Sequence, residues 1–419
     1  MKVLVTGAMG FVGRNLGVAL RRRADVELVE FDIDSPEGLL DESLSKVDVI
    51  FHLAGVNRPE RVEEFTEGNF DLTRQICGTL QRLGRRPLFL LSSSMQALLD
   101  NPYGVSKRRA EEEVFAFGKK TGAQIAIFRL PGVFGKWCRP NYNSVVATFC
   151  HNIAYDLPIA ISDPAKEIEL VYIDDVVRAF INVMDGMPPV TEGKYCQAKP
   201  TYRITLGALA QTIRGFRESR VSLTVPDVSD PLVHALYATY ISYLPTDAFA
   251  YALTQRTDPR GELAELLKSP RIGQIFVSRT RPSITRGHHY HDTKVEKFVV
   301  LEGDAVIRFR HIGTEKRVQS SEFRVPSSKD EGESSKFKVQ SSEFRVQSLE
   351  SGGQRAEGGE QREEVIEYRV KGEEFRVVDI PPGYTHSIEN VGQNDLIVLF
   401  WADEIFNPDV PDTYFEKVE

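Results

Sequence analysis

Four cysteines in 419 residues, Cys77, Cys138, Cys150 and Cys196, are too few and too scattered for a disulfide framework, and none stands in a CxxC pair. Reduced thiols in a cytoplasmic protein are the reading that follows. The chain also lacks an apolar run of membrane-spanning length, and Met1 leads straight into the strand-like KVLVT, so neither a signal peptide nor an anchor is expected. Positive charge is in short supply as well. Lys and Arg total 52 against 60 Asp and Glu, a net charge of −8, which argues against a nucleic-acid or anionic-membrane partner. The dense basic spot Arg21-Arg22-Arg23 reads as a solvated helix end. A chain of this length, 41% hydrophobic and 27% charged, is globular and too long for one typical core, which points to two domains.

What is present begins at the first residue. Residues 1–13, MKVLVTGAMGFVG, form an apolar run feeding into Gly7, Gly10 and Gly13, and helical periodicity continues from Arg14 to Leu20. Strand, tight turn and helix in that order let the backbone approach a pyrophosphate, which would sit on the free N–H groups and positive end of the helix. The second strand, VELVEFDID, ends in Asp32. A carboxylate there accepts the ribose 2′-hydroxyl of NAD and repels the 2′-phosphate of NADP, with Arg14 as a cation that offsets part of the repulsion.

Tyr103 and Lys107 of YGVSK stand four apart on a helix suggested by residues 107–119, so both side chains face one way. A lysine ammonium beside a phenol lowers its pKa and readies it to exchange a proton with a sugar oxygen while hydride moves at a nicotinamide. The apolar run PLFLL ends in Ser92-Ser93-Ser94, and a serine hydroxyl would polarise the same oxygen.

A second constellation lies far downstream. In GHHYHDTKVEKFVVLEG, residues 287–303, His289 and His291 flank one residue and Glu296 follows, while His386 arrives in PPGYTHSIEN after a Pro-x-Gly turn. Residues i and i+2 of a strand share a face, so both imidazoles reach the same space as the carboxylate and the returning His386. Three neutral nitrogens and one carboxylate suit zinc or another first-row divalent ion. The spacing H-x-H-x4-E-x6-G followed by P-x-G-x2-H-x3-N resembles the two cupin motifs.

Up to about Ala198, short apolar runs alternate with helical stretches, as a doubly wound α/β sheet requires. Residues 230–244 read as a connector, and from Asp247 strands and Gly/Pro turns take over. The domains expected are 1–243 and 246–419. Within the second, residues 313–364 are rich in Ser, Glu, Gln, Lys, Arg and Gly, and VQSSEFRV occurs at 318–325 and again at 339–346. That reads as a duplicated, flexible insertion between strands AVIRFRH and EEVIEYRV, tolerated because long loops cost little closure entropy.

Taken together, TGAMGFVG, FHLAG, the triple serine, YGVSK, RLPGVFG and VYIDDVV resemble the extended short-chain dehydrogenase/reductase family over roughly the first 240 residues. Across both halves, HLAGVNRPE, LLSSSMQA, NPYGVSK, FGKWCRPNYNSVVATFC, YLPTDAFAY, VIRFRH, DIPPGYTHSIEN and PDTYFEKV resemble the CapF/WbjC-type bifunctional enzymes of capsule and O-antigen synthesis. The fold implied is an α/β Rossmann domain followed by an all-β cupin, a double-stranded β-helix or jelly roll.

The activity implied by the resemblance belongs to UDP-N-acetyl-L-fucosamine synthesis: the cupin epimerises carbon 3 of a UDP-4-keto-6-deoxy-N-acetylhexosamine, and the Rossmann lobe reduces its carbon 4 ketone. NADPH is the cofactor implied, against the NADH that Asp32 favours, and the substrate partner is the UDP-keto sugar. Ser94, with Ser93 in reserve, Tyr103 and Lys107 are the catalytic residues carried over. Gly7, Gly10, Phe11, Val12, Gly13, Asp32, Leu53, Ala54 and Gly55 would hold the cofactor alongside Tyr103 and Lys107. Asn57, Arg58, Arg139, Asn141, Tyr142 and Asn143 would meet the nucleotide sugar, with Lys136 near its diphosphate. In the barrel, Tyr384, His288 and Tyr290 neighbour the metal ligands His289, His291, Glu296 and His386, and Tyr384 is the catalytic candidate. Met95-Gln96 after Ser94 replace the Asp-Glu of sugar dehydratases, so dehydration is disfavoured. A homodimer is implied by resemblance. The alternative is a single-site reductase or epimerase whose cupin is a structural, dimerising barrel.

Overall fold

The computed structural model describes residues 1–312 and 365–419, so the repeat insertion at 313–364 lies outside the described residues. The chain divides into two compact units, Met1–Ala252 and Leu253–Glu419. The first unit runs past the 243/246 division read from the sequence because Arg220 donates to the Ala248 carbonyl and stacks 4.5 Å from the Tyr251 ring.

Strands β1 (Lys2–Thr6), β2 (Glu27–Phe31), β3 (Val49–His52), β4 (Leu88–Ser94), β5 (Ile125–Leu130), β6 (Gly132–Phe134), β7 (Glu167–Tyr172), β8 (Thr191–Glu192), β9 (Tyr195–Cys196) and β10 (Thr201–Thr205) belong to the first unit. So do helices α1 (Phe11–Arg21), α2 (Leu39–Leu44), α3 (Glu64–Thr66), α4 (Leu72–Leu83), α5 (Pro102–Thr121), α6 (Val145–Ala154), α7 (Ile173–Met184), α8 (Leu206–Ser222) and α9 (Pro231–Ile241). The main sheet has the order β2-β1-β3-β4-β5-β9-β8, parallel through β9. Alternate residues of one strand enter different cores: Val3 and Val5 pack with Phe128 and Phe180, whereas Leu4 packs with Phe89 and Phe117. Both faces are therefore covered, which is why the strands read as continuous apolar runs. The order reverses between β1 and β3, and at such a switch point ligands bind beyond the carboxyl ends of the strands.

A smaller sheet, β10-β7-β6, shares a third core with α6, α8 and α9. Helix α9 corrects the reading of residues 230–244 as a connector. Asp230 caps it, accepting from Leu232 N at 2.8 Å and Val233 N at 3.1 Å, Pro231 opens its first turn, and Ala235, Leu236 and Tyr240 are buried. Among the described residues, no helix is long and apolar enough to cross a membrane.

The second unit is all β: β11 (Gln255–Asp258), β12 (Gly261–Ser269), β13 (Gly273–Thr280), β14 (Thr285–Tyr290), β15 (Glu296–Glu302), β16 (Asp304–His311), β17 (Ile366–Lys371), β18 (Val377–Ile380), β19 (Tyr384–Asn390), β20 (Leu396–Ala402) and β21 (Tyr414–Phe415). They form two antiparallel sheets, β11-β12-β13-β20-β15-β18 and β17-β16-β19-β14-β21. One core draws Phe298, Ile380 and Val398 from the first and Ile307, Phe309 and Ile388 from the second. This is the strand-rich, cupin-like domain expected, and β14, β15 and β19 bring its histidines and glutamate together.

Candidate functional site

The candidate nucleotide site starts at the turn from β1 to α1. Gly7 has φ +68°, and a Cβ on it would lie 2.7 Å from the Ala54 backbone; one on Gly13 would lie 2.2 Å from the Gly7 carbonyl. Only glycine permits that packing. Helix α1 then opens with no side chain capping its first N–H groups and no acid in its first turn. A tight glycine cradle beneath a free helix N-terminus fits a dinucleotide pyrophosphate. Leu53 N donates to Thr6 O (3.1 Å) and Ala54 N to Thr6 Oγ1 (3.3 Å), which fastens the FHLAG loop against the turn. Asp32 follows β2, and its Oδ2 accepts from Met9 N at 2.8 Å.

Tyr103 and Lys107 lie on α5, which starts at Pro102 behind the cap Asn101 and stops at Gly122. Gly104 explains the glycine of YGVSK: a Cβ there would meet Gln96 O at 2.3 Å, so the helix start sits directly on the turn after β4. That closeness brings the Ser94 hydroxyl near enough to the Tyr103 phenol to lower its pKa, while Ser94 Oγ also accepts from Gln96 N at 3.2 Å. Ser93 is committed elsewhere, donating to buried Glu111 at 2.5 Å. Burial pushes the Tyr103 phenol up and Ser94 pulls it down, with a net rise. The lowering expected from Lys107 is therefore not what governs the phenol in this state. Lys107 Nζ points to the Ser92 carbonyl at 3.4 Å, and burial brings its own pKa down to about 8, opposed by Glu111.

The residues expected to meet the nucleotide sugar divide into two groups. Exposed Arg58 and Arg139 converge on the Tyr142 ring, at 5.8 and 4.9 Å, and Asn57 and Asn143 are exposed nearby in sequence. Asn141 is used by the fold: at φ +53° its Nδ2 donates to Asn152 Oδ1 (3.1 Å) and its N–H to Thr148 Oγ1 (3.0 Å). Lys136 is paired with Asp174 at 2.5 Å.

In the second unit, ligand atoms of His289, His291, Glu296 and His386 all lie within 4.8 Å of one another. A bulge between Gly287 and His289 puts His289 opposite His386 in the β14–β19 ladder. Gly383, at φ +78°, turns the chain so that its N–H donates to the His291 carbonyl at 2.9 Å. The Nε2 atoms of His291 and His386 are buried without a hydrogen bond of ordinary geometry, 3.5 and 3.7 Å from Glu296 Oε2. Burial, then the neighbouring imidazoles, brings His289 down to about 4 and His386 to about 3, so their lone pairs are free. Burial works to raise Glu296, but contact with His291 and the charges of His291, His386 and Lys294 outweigh it and the carboxyl is lowered. Buried lone pairs with no proton and no partner, beside a carboxylate, fit a divalent metal.

The remaining barrel candidates separate. Tyr384 is half-buried at the start of β19 with its ring edge on His311, 5.0 Å away. His288 Nδ1 accepts from Val418 N at 3.5 Å, and Tyr290 stacks on Tyr414 at 5.2 Å, so both face the C-terminal segment.

Residues 3–192 match the NAD dependent epimerase/dehydratase family, and residues 256–331 and 359–414 match the polysaccharide biosynthesis C-terminal domain. The chain is 44% identical over 414 residues to a UDP-2-acetamido-2,6-beta-L-arabino-hexul-4-ose reductase of Pseudomonas aeruginosa, covering 99% of this chain and 98% of the relative. It also matches the crystal structure of the capsular polysaccharide assembling protein CapF from Staphylococcus aureus, with TM-score 0.83, 38% identity and full coverage of both chains. A CapF structure with the inhibitor 3-isopropenyl-tropolone matches at TM-score 0.79 and 34% identity. The chain belongs to this CapF-type reductase family.

Three residues of this CapF-type chain escaped the sequence reading. Asp412 accepts from the backbone N–H of Asp292, Thr293 and Lys294, each at 2.8 Å, and its carbonyl takes His291 Nδ1–H at 2.5 Å, which leaves Nε2 aimed at the other ligands. Burial opposes ionisation of Asp412, yet those three N–H groups hold it well below the carboxylate range. Asn69 ties the loop after FHLAG to α5, bonding Val56 N and O (3.0 Å each) and Ser106 Oγ (3.1 Å). Glu111 joins Ser93 to Arg129, with an Arg129–Glu111 pair at 2.5 Å. Only Asp412 carried any signal, as part of PDTYFEKV, and nothing in its spacing singled it out.

Proposed function

We propose that the barrel epimerises carbon 3 of a UDP-2-acetamido-2,6-dideoxy-4-keto sugar and that the first unit reduces the carbon 4 ketone with NAD(P)H, a step toward UDP-N-acetyl-L-fucosamine for capsule or O-antigen. The observation that carries this is the presence, in one chain, of a His3Glu set whose His291 and His386 Nε2 atoms are buried without partners and of the Ser94 and Tyr103 hydroxyls beside a dinucleotide cradle. Zinc or a similar divalent ion, when held by His289, His291, Glu296 and His386, supplies Lewis acidity that makes a C–H beside a ketone removable. Tyr384, half-buried two residues before His386 on β19, is the residue assigned to move that proton. In the first unit, Ser94 orients the ketone oxygen and Tyr103 gives it a proton, while Lys107 holds positive charge beneath the site. The nicotinamide supplies the hydride. Arg58, Arg139 and Tyr142 are assigned to the nucleotide diphosphate. The resemblance supports a homodimer, and four buried free cysteines accord with a cytoplasmic setting.

A barrel kept only for its shape or for dimerisation would gain nothing from two buried imidazole nitrogens without partners, each costing about 1–3 kcal/mol. The test is to supply the keto sugar with NAD(P)H and analyse the product. The expected result is oxidation of the nicotinamide and a sugar two hydrogens heavier with carbon 3 inverted. Retention at carbon 3 would return the chain to a one-site reductase, and no oxidation would remove the reductase assignment.

A further inference from the structure

We infer that the nucleotide site selects NADH over NADPH and that Asp32 sets the choice; this deepens the reductase reading and rests on it. The inference runs against the NADPH implied by resemblance. Asp32 is fixed in place rather than free to swing aside: Oδ2 accepts from Met9 N (2.8 Å) in the glycine turn, Oδ1 accepts from Ile33 N (2.9 Å), and its own N–H donates to Ser35 Oγ (2.8 Å). Each carboxylate oxygen keeps acceptor capacity after those bonds, enough for a donating ribose hydroxyl pair. Beside it Ile33 is 92% exposed, an unpacked apolar side chain against which an adenine face can lie.

A 2′-phosphate would bring about two negative charges against that carboxylate. The segment offers nothing to neutralise them, because residues 24–45 hold no Lys or Arg and include Asp34 and Glu37 just beyond. Two of the three arginines at the end of α1 are engaged, Arg21 with Glu30 at 2.6 Å and Arg23 with Asp185 at 2.7 Å and Asp25 at 2.8 Å, and exposed Arg22 caps the C-terminus of α1, a helix length of roughly 16 Å from the glycine turn. Arg14, exposed in the first turns of α1, is the cation of residues 7–20. A single guanidinium leaves carboxylate plus phosphate with an excess of negative charge.

The experiment is equilibrium binding of NADH and of NADPH to the full-length protein without sugar, followed by nicotinamide fluorescence. NADH should bind roughly ten- to a hundredfold more tightly, the range expected of a charge-assisted hydrogen bond gained against a repulsion avoided. Asp32→Asn keeps one oxygen to accept from Met9 N, gives up the bond to the exposed Ile33 N–H and removes the charge, so it should tighten NADPH and shrink the ratio. Asp32→Ala should weaken NADH about tenfold. Equal or tighter NADPH binding by the parent protein, or a ratio untouched in Asp32→Asn, overturns the inference while leaving the reductase reading intact. Binding of neither nucleotide overturns both.

Discussion

Burial raises the Tyr103 phenol against the smaller lowering by Ser94 and keeps it neutral, which suits the proton-donor role proposed for it at a ketone oxygen. Tyr103→Phe should therefore cut the rate of ketone reduction by roughly 10²–10⁴-fold while nicotinamide binding persists, as stopped-flow absorbance and fluorescence titration would report. Lys107 carries a pH signature. Its folded pKa of about 8 lies below the 10.5 of the free side chain, burial being the cause. Below pH 8 both states hold the proton and the fold bears the cost of a buried charge. Between 8 and 10.5 the unfolded chain holds the extra proton, so stability rises with pH. Lys107→Met should thus be more stable than the parent at pH 7, by on the order of 3 kcal/mol before packing differences, with the advantage fading as pH climbs through that range. Denaturant melts across pH check it, and a pH-independent difference contradicts it. The Tyr103–Lys107 pair was legible because a four-residue helical spacing is a local property. Its electrostatics were not, since they depend on Glu111 and the Ser92 carbonyl, which only the packing of α5 on β4 brings near.

At the scale of elements, the strand–turn–helix around Gly7 and the i, i+2 histidines were readable because turn chemistry and strand alternation need no tertiary information. Asp412 was not, since it works across the barrel from the far end of the sequence. Asp412→Ala should release the N–H groups of Asp292, Thr293 and Lys294 and free His291 to rotate. Metal affinity should fall roughly 10–100-fold, the usual effect of losing a partner that orients a ligand, as competition with a chromogenic chelator would measure. Unchanged affinity would reduce Asp412 to a loop clamp. Helix α9 was missed for a related reason: its buried face of Ala235, Leu236, Thr239 and Tyr240 is blurred in the sequence by apolar Pro231, Ala238 and Ile241 on its exposed face, so no clear stripe marks it as a packed helix.

On the scale of the whole molecule, composition and motif order carried the two-part architecture, while the dividing point needed the Arg220 contacts that hold residues 245–252 to the first unit. The two strands flanking residues 313–364 pair directly, Phe309 opposite Ile366, so their ends are already adjacent. Replacing 313–364 with a short turn should leave the melting temperature and metal content of the protein unchanged; loss of either would give that segment a part in the barrel. The proposed function divides the labour, with carbon 3 chemistry in the barrel and carbon 4 chemistry at Tyr103. It is tested most directly by holding the UDP-4-keto sugar with the protein in deuterated water, without nicotinamide, and following the carbon 3 proton by NMR in the parent, His289→Ala and Tyr103→Phe proteins. Deuterium uptake is expected in the parent and Tyr103→Phe and none in His289→Ala; uptake that survives in His289→Ala, or is absent from all three, contradicts that division.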